Sequence, residues 1–274
     1  MKPISILLSF LVSSLLLASC HSSDYYPLSS TYNPKDAYIP FQEYPKYAQH
    51  PRPYVIEAPQ FVIFGASHTK DPKDAQITQI EAKWNALQPT VALIEGNPGF
   101  TPPSFIDPVK ELGENGKVQD LARTHDVPVY SWDLSKEELA KQLAVKFSAE
   151  QVALSLILNP YFSNLRFGRP EAPENYIEEF LERAEYVNQQ DNFKTVADVD
   201  RVWKKHFPTG KDWRETSDEY ALPGYLADMM AVSNDLRNQK MIAVMKELLA
   251  KKEKVFAISG SSHAVCVEPA FSKK

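Results

Sequence analysis

The chain lacks most of the features that identify a protein quickly. Two cysteines in 274 residues exclude a disulfide-stapled scaffold. Lys and Arg number 30 against 35 Asp and Glu, a formal charge of −5, so no basic excess is available for a nucleic acid partner. A single long apolar run, Ile4 to Ala18, excludes a polytopic membrane protein. There is no P-loop, G-x-G-x-x-G, H-E-x-x-H, C-x-x-C or G-x-S-x-G. The usual sequence routes to nucleotide, zinc-protease, dithiol and serine-hydrolase chemistry are therefore closed. Glycine and histidine are scarce as well, at nine and six, so places where they coincide carry information.

What is present begins with an address. Lys2, the apolar stretch and the small residues that follow it have the organisation of a signal peptide over residues 1–19. The segment ends Leu17-Ala18-Ser19-Cys20, which resembles the lipobox of bacterial lipoproteins. That resemblance implies lipid attachment, a palmitate-bearing N-terminus, at Cys20. His21 in place of Asp implies the outer membrane. Removing residues 1–19 removes one charge, Lys2, and leaves a mature chain at −6. Cys266 then has no disulfide partner and reads as a small buried hydrophobe.

Residues 21–60 contain seven of 21 prolines, seven of 13 tyrosines and no glycine. Proline at this density predicts an extended tether over 20–54, with a second possibility that its tyrosines lie on the domain surface. From 55 to 274 the pattern is α/β: a central, mostly parallel sheet flanked by helices. Short apolar runs at Phe61–Phe64, Val91–Ile94, Val127–Trp132 and Val255–Ile258 predict buried strands. Helical spacing links Ile77, Ile80, Trp84 and Leu87 before Pro89, and recurs over 118–125, 176–187 and 225–251. Ser135 with Glu138 forms a capping-box pattern, and Ser148 is a second N-cap candidate. Residues 140–222 read as a helical insertion, a candidate lid.

The chemistry concentrates where strands end. Gly65-Ala66-Ser67-His68 and Gly260-Ser261-Ser262-His263 each place a histidine three residues after a glycine, just past an apolar strand. In an open α/β sheet that carboxyl edge is where ligands bind, and glycine would let the backbone turn there. Glu95 ends the Val91–Ile94 strand at the same edge. On the 225–251 helix, Met230, Asn234, Arg237, Met241, Val244 and Leu248 form one core-facing stripe. Arg237 in that stripe needs a carboxylate or an anionic ligand, and Glu95 is the candidate. His21, His50, His125 and His206 read as tether or helix-end residues.

These four elements, GASH at 65–68, LIEGNP at 93–98, LRNQKM at 236–241 and GSSH at 260–263, resemble the TraB/Tiki superfamily in their order. The likeness covers a framework from about 60 to 265, outside the helical middle. It implies a site of His68, Glu95, Arg237 and His263. On the family pattern, His68, Glu95 and His263 hold a divalent metal, Mn, Co or Zn, in a cell-envelope hydrolase acting on a peptide or small molecule. Arg237 would orient Glu95 or stabilise an oxyanion. The residues also allow metal-free catalysis, with a histidine as general base, or a binding lipoprotein that sequesters a peptide or haem without turnover.

Overall fold

The computed structural model describes residues 24–29, 36–216 and 222–272. The signal segment and the lipid site at Cys20 lie outside the described residues. Among those described, no helix is long and apolar enough to cross a membrane.

The elements run β1 (Tyr54–Ala58), β2 (Phe61–Ala66), α1 (Ala75–Leu87), β3 (Val91–Ile94), α2 (Pro108–His125) and β4 (Val129–Ser131). Four helices follow: α3 (Lys136–Leu143), α4 (Ala149–Asn164), α5 (Pro173–Glu178) and α6 (Val196–His206). The chain closes with α7 (Tyr225–Ala250), β5 (Val255–Gly260) and α8 (Ser261–Val267). The sheet order is β1-β2-β5-β3-β4, parallel throughout except for the antiparallel edge strand β1. The last strand therefore enters the middle, pairing Phe61–Ala66 on one side and Val91–Leu93 on the other.

Alternation along these strands feeds two cores. Val62, Phe64, Ala92, Ile94, Phe256 and Ile258 face α1 and the second half of α2, where Ile80, Trp84 and Val118 are buried. Phe61, Ile63, Leu93, Val255 and Ala257 face α7 and α8. Strands covered on both faces read as continuous apolar runs, which is why β2, β3 and β5 are legible in the sequence. A third apolar cluster, from Leu134 to Met229, holds α3 to α6 around the start of α7. The helical insertion thus has a core of its own. Capping boxes at Ser135 and Ser148 start α3 and α4.

Three expectations need correction. The helix expected over 176–187 is divided into α5 and a 3-10 turn at Leu181–Val187, because Phe180 leaves the helical region. Its buried residues, Leu181, Ala184 and Val187, recur every three positions, the period of a 3-10 helix rather than an α-helix. The helix expected from Val118 begins at Pro108, before a kink where Gly113 has φ +60°. The strand expected over 127–132 is confined to β4.

The described part of the tether is not a free linker. Tyr25 forms a parallel bridge with Ser131, and Tyr26 N–H donates to the Ser131 carbonyl at 2.8 Å, extending the sheet beyond β4. A 3-10 turn, Phe41–Tyr47, buries Phe41 and Tyr44 against α7 and α8. Ile39 N–H donates to the Cys266 carbonyl at 2.9 Å, and Cys266 itself is a buried free thiol. The tyrosines and phenylalanine supply the apolar area that proline alone would not, which favours docking over extension.

Candidate functional site

Each of the four parallel strands delivers one chemical group at its carboxyl end. β2 leads to His68, β3 to Glu95, β4 to Asp133, and β5 runs directly into α8, which carries His263 in its first turn. Helix α7 crosses above them and supplies Asn234, Arg237 and Asn238. Three of these strands, β2, β5 and β3, are adjacent, so the expected quartet of His68, Glu95, Arg237 and His263 does converge.

Arg237 is the hub. Its Nε donates to both Asp133 oxygens, at 2.9 and 3.1 Å. Nη1 donates to Asn234 Oδ1 at 3.2 Å and to His263 Nε2 at 3.0 Å. Nη2 donates to Glu95 Oε1 at 2.7 Å and to Asp133 Oδ2 at 2.8 Å. All five guanidinium N–H groups are thereby engaged. Its carbon also lies 5.5 Å from the centroid of the Trp132 ring. Arg237 therefore orients Glu95, one of its two expected roles, but retains no donor for an oxyanion.

Asp133 is the residue that sequence reasoning missed. It is buried, accepts three of the six Arg237 contacts, and takes the Gly96 N–H at 3.2 Å. The signal was available: like Glu95, it is an acid just beyond a predicted apolar strand. Asn238 was missed too. Its Oδ1 lies 2.7 Å from His263 Nδ1. An arginine can only donate, so Nε2 of His263 accepts, Nδ1 carries the proton, and Asn238 receives it. Asn238 and Arg237, rather than Glu95, set this tautomer; Glu95 is 3.6 Å from Nε2.

The electrostatics follow from this packing. Burial and the neighbouring guanidinium depress the His263 imidazole to about 4, so the ring is neutral at physiological pH. Burial alone would raise the Glu95 carboxyl, but the Arg237 guanidinium outweighs it and holds Glu95 well below the usual carboxylate range. Asp133 is likewise lowered, burial being overcome by Arg237. Arg237 is raised despite its burial, by Asp133 and Glu95.

His68 differs from His263 in access and in freedom. Its side chain is 32% exposed against 5% for His263, and no hydrogen bond engages its ring. Burial lowers its proton affinity while the negative charge of Glu95 opposes that shift. Its backbone is left-handed, with φ +58°, a conformation that costs a non-glycine residue about 1 kcal/mol or more. Glu114 stands beside it, with Oε2 at 3.9 Å from Nδ1 and Oε1 accepting the Thr69 N–H at 2.6 Å.

The glycines of the two G-x-x-H motifs serve clearance rather than turning. Neither has positive φ. A Cβ at Gly65 would lie 2.6 Å from Ala264 Cβ and 2.9 Å from Ser261 Cα, on the helix that bears His263. A Cβ at Gly260 would lie 2.7 Å from His68 Nε2. Each glycine makes room for the other motif. The backbone turn falls on His68 itself.

The expected metal ligands do not fit a divalent ion as arranged. Both His263 nitrogens are engaged, and Glu95 accepts Arg237 on one oxygen and the Gly260 N–H at 2.6 Å on the other. Arg237 thus occupies lone pairs of His263 Nε2 and Glu95 Oε1 that a metal would need. Among the described residues, no group of three or more His, Cys, Asp or Glu side chains is placed to hold a metal ion.

Above the sheet edge lies a cavity of about 410 Å³. His68, Glu95 and His263 line it, as do Lys136 of α3 and Leu156, Phe162 and Arg183 of the insertion. Phe41 from the docked N-terminal segment also lines it. Of the remaining histidines, His21 lies outside the described residues, and three lie elsewhere: His50 contacts Tyr44, His125 bonds the Leu121 carbonyl, and His206 pairs with Glu150. Comparison with protein-family models, curated proteins and solved structures finds no match to this chain.

Proposed function

We propose that this protein is a cell-envelope lipoprotein, anchored to the outer membrane through lipidated Cys20, that hydrolyses an ester or amide bond at its sheet edge without a metal. The observation that carries the reading is His68: a neutral, partly exposed imidazole with no hydrogen-bond partner among the described residues, beside an ionised Glu95, lining a cavity. Such a group takes a proton from water as the water attacks a carbonyl. The imidazolium that forms is stabilised by the carboxylate. Collapse of the tetrahedral intermediate returns that proton to the leaving alkoxide or amine. His263, Asn238, Asp133 and Arg237 hold Glu95 in place and do not themselves exchange protons. Membership of the TraB/Tiki superfamily is part of this proposal, supported by the two G-x-x-H motifs on adjacent parallel strands.

The test is turnover of a panel of aryl esters and short peptides by the full chain. His68→Ala should lower kcat by about 10²- to 10⁴-fold, the range for loss of a general base. The activity of the parent should fall with acid along a single ionisation below the ordinary histidine value, as the direction of the His68 shift requires. Full activity in His68→Ala overturns the reading. A second reading, ligand sequestration without turnover, is favoured by the saturation of Arg237, which leaves no donor there for a transition state. Recovery of a bound ligand stoichiometric and unmodified supports it.

A further inference from the structure

The cavity has the opposite charge balance to the chain. The protein carries −5 overall, yet five cationic and three acidic side chains line this space. Arg237 pairs with both Glu95 and Asp133 and offsets one of their two negative charges. Of the remaining acids only Glu114 lines the cavity, against Lys70, Lys136, Arg166 and Arg183.

Two of these cations, Lys136 and Arg183, make no ion pair among the described residues. Lys136 is the first residue of α3, where a positive charge opposes the helix dipole. It shares its face with Leu139 and Leu143, which also line the cavity, so it points inward rather than to solvent. It is half-buried, and no hydrogen bond or ion pair engages its ammonium among the described residues. Its nearest acid, Asp133, is held by Arg237. Arg183, on the packed 3-10 turn, donates one Nη1 bond to the Leu156 carbonyl at 3.2 Å and stacks 4.5 Å from the Phe180 ring. No carboxylate pairs with it among the described residues, although the charge of Glu182 supports its own. Holding cations away from water with so little counter-charge is costly, and an anionic ligand would relieve that cost.

We propose that Lys136 and Arg183 form an anion-recognition subsite, and that the protein acts on small molecules bearing a carboxylate or phosphate group. This rests on the reading of the cavity as a substrate site and names its substrate class. The anionic group sits at Lys136 and Arg183 while the scissile carbonyl faces His68 in the same cavity. A free peptide carboxyl terminus has this chemistry, as does a phosphorylated ester. Arg supplies a planar fork and Lys a point charge, a combination suited to either oxyanion.

The experiment is titration of the full chain, purified in detergent micelles, with sodium succinate and with inorganic phosphate at pH 7 and matched ionic strength. Binding is read by calorimetry and by the shift in Tm. At least one anion should bind the parent and His68→Ala alike, and whichever binds identifies the group as carboxylate or phosphate. Lys136→Met and Arg183→Met should each weaken binding tenfold or more. Lys136→Arg should retain binding, and the exposed-site control Lys141→Met should match the parent. Near-parental Tm without anion establishes that the variants fold. The proposal is overturned if neither anion binds beyond a chloride control, or if both methionine variants bind like the parent. Because the readout is binding, the hydrolase reading can fail through His68→Ala while this subsite stands, and the converse.

Discussion

Gly260 and His68 compete for one volume: a methyl group on the first would stand 2.7 Å from Nε2 of the second. The contact is with the far end of a side chain, which can move. Gly260→Ala should therefore displace the His68 ring while leaving Tm nearly unchanged. NMR resonances of the His68 imidazole are the direct check. Gly65→Ala meets the Tyr54 carbonyl at 2.7 Å and the backbone of Ser261 at 2.9 Å, neither of which can yield easily. It should cost about 1–3 kcal/mol by overpacking, measured by urea denaturation. Equal effects of the two substitutions on stability would contradict this division.

Arg237→Met leaves Glu95 and Asp133 buried without their common cation. The expected loss is about 3–5 kcal/mol, the range for removing one partner of a buried pair. Adding Asp133→Asn to it should recover part of that loss, because one uncompensated charge is removed. A double-mutant cycle by chemical denaturation measures the coupling. Additivity of the two substitutions would dissociate Asp133 from the network.

The His263 imidazole gives a pH dependence with a definite sign. Its proton affinity is about 4 in the folded chain and about 6.5 when unfolded, so the unfolded state binds the extra proton between those values. Its stabilising contribution is complete above pH 6.5 and declines as pH falls toward 4. A urea-unfolding series from pH 7.5 to pH 4 should reveal this decline, and His263→Asn should flatten that part of the profile. A profile unaltered by His263→Asn would refute the assignment.

With Arg237 between Glu95 and His263, metal is not expected at stoichiometric level. Elemental analysis of the purified chain should give well under one Mn, Co or Zn per molecule. Hydrolysis of any substrate found should survive a chelator. Near-stoichiometric metal, lost in a His68→Ala/His263→Ala double variant, would reverse this conclusion.

The framework was legible where physics acts locally or repeats. β2, β3 and β5 are buried on both faces and so announce themselves as unbroken apolar runs. Helix α1 is visible because Ile77, Ile80, Trp84 and Leu87 keep one period. The site quartet could be anticipated because strand ends and an arginine in an apolar stripe both violate what a core prefers. Asp133 escaped because β4 is short and only its last residue, Ser131, is fully buried, which weakened attention to the residue that follows. Asn238 sits one position off the Asn234–Arg237 stripe, where periodicity gives no reason to look. The docked Tyr26 and Phe41 are long-range contacts that no local pattern specifies. Nor does spacing reveal that Arg237 would exhaust its donors, since that depends on four separate segments meeting at one atom group.

The place of β5 has a consequence for how the molecule comes into being. Until residues 255–260 exist, β2 and β3 have no neighbour in common, and the sheet is two unconnected pieces. His263, three residues later, completes the charge network at almost the same moment. A nascent chain stopped at residue 254 thus lacks the strand that joins β2 and β3. Assembly of the sheet waits on pairing between segments about 160 to 190 residues apart in sequence, a slow class of folding reaction. The same architecture makes β5 an internal check on the fold: a chain truncated before it has neither a continuous sheet nor the complete site.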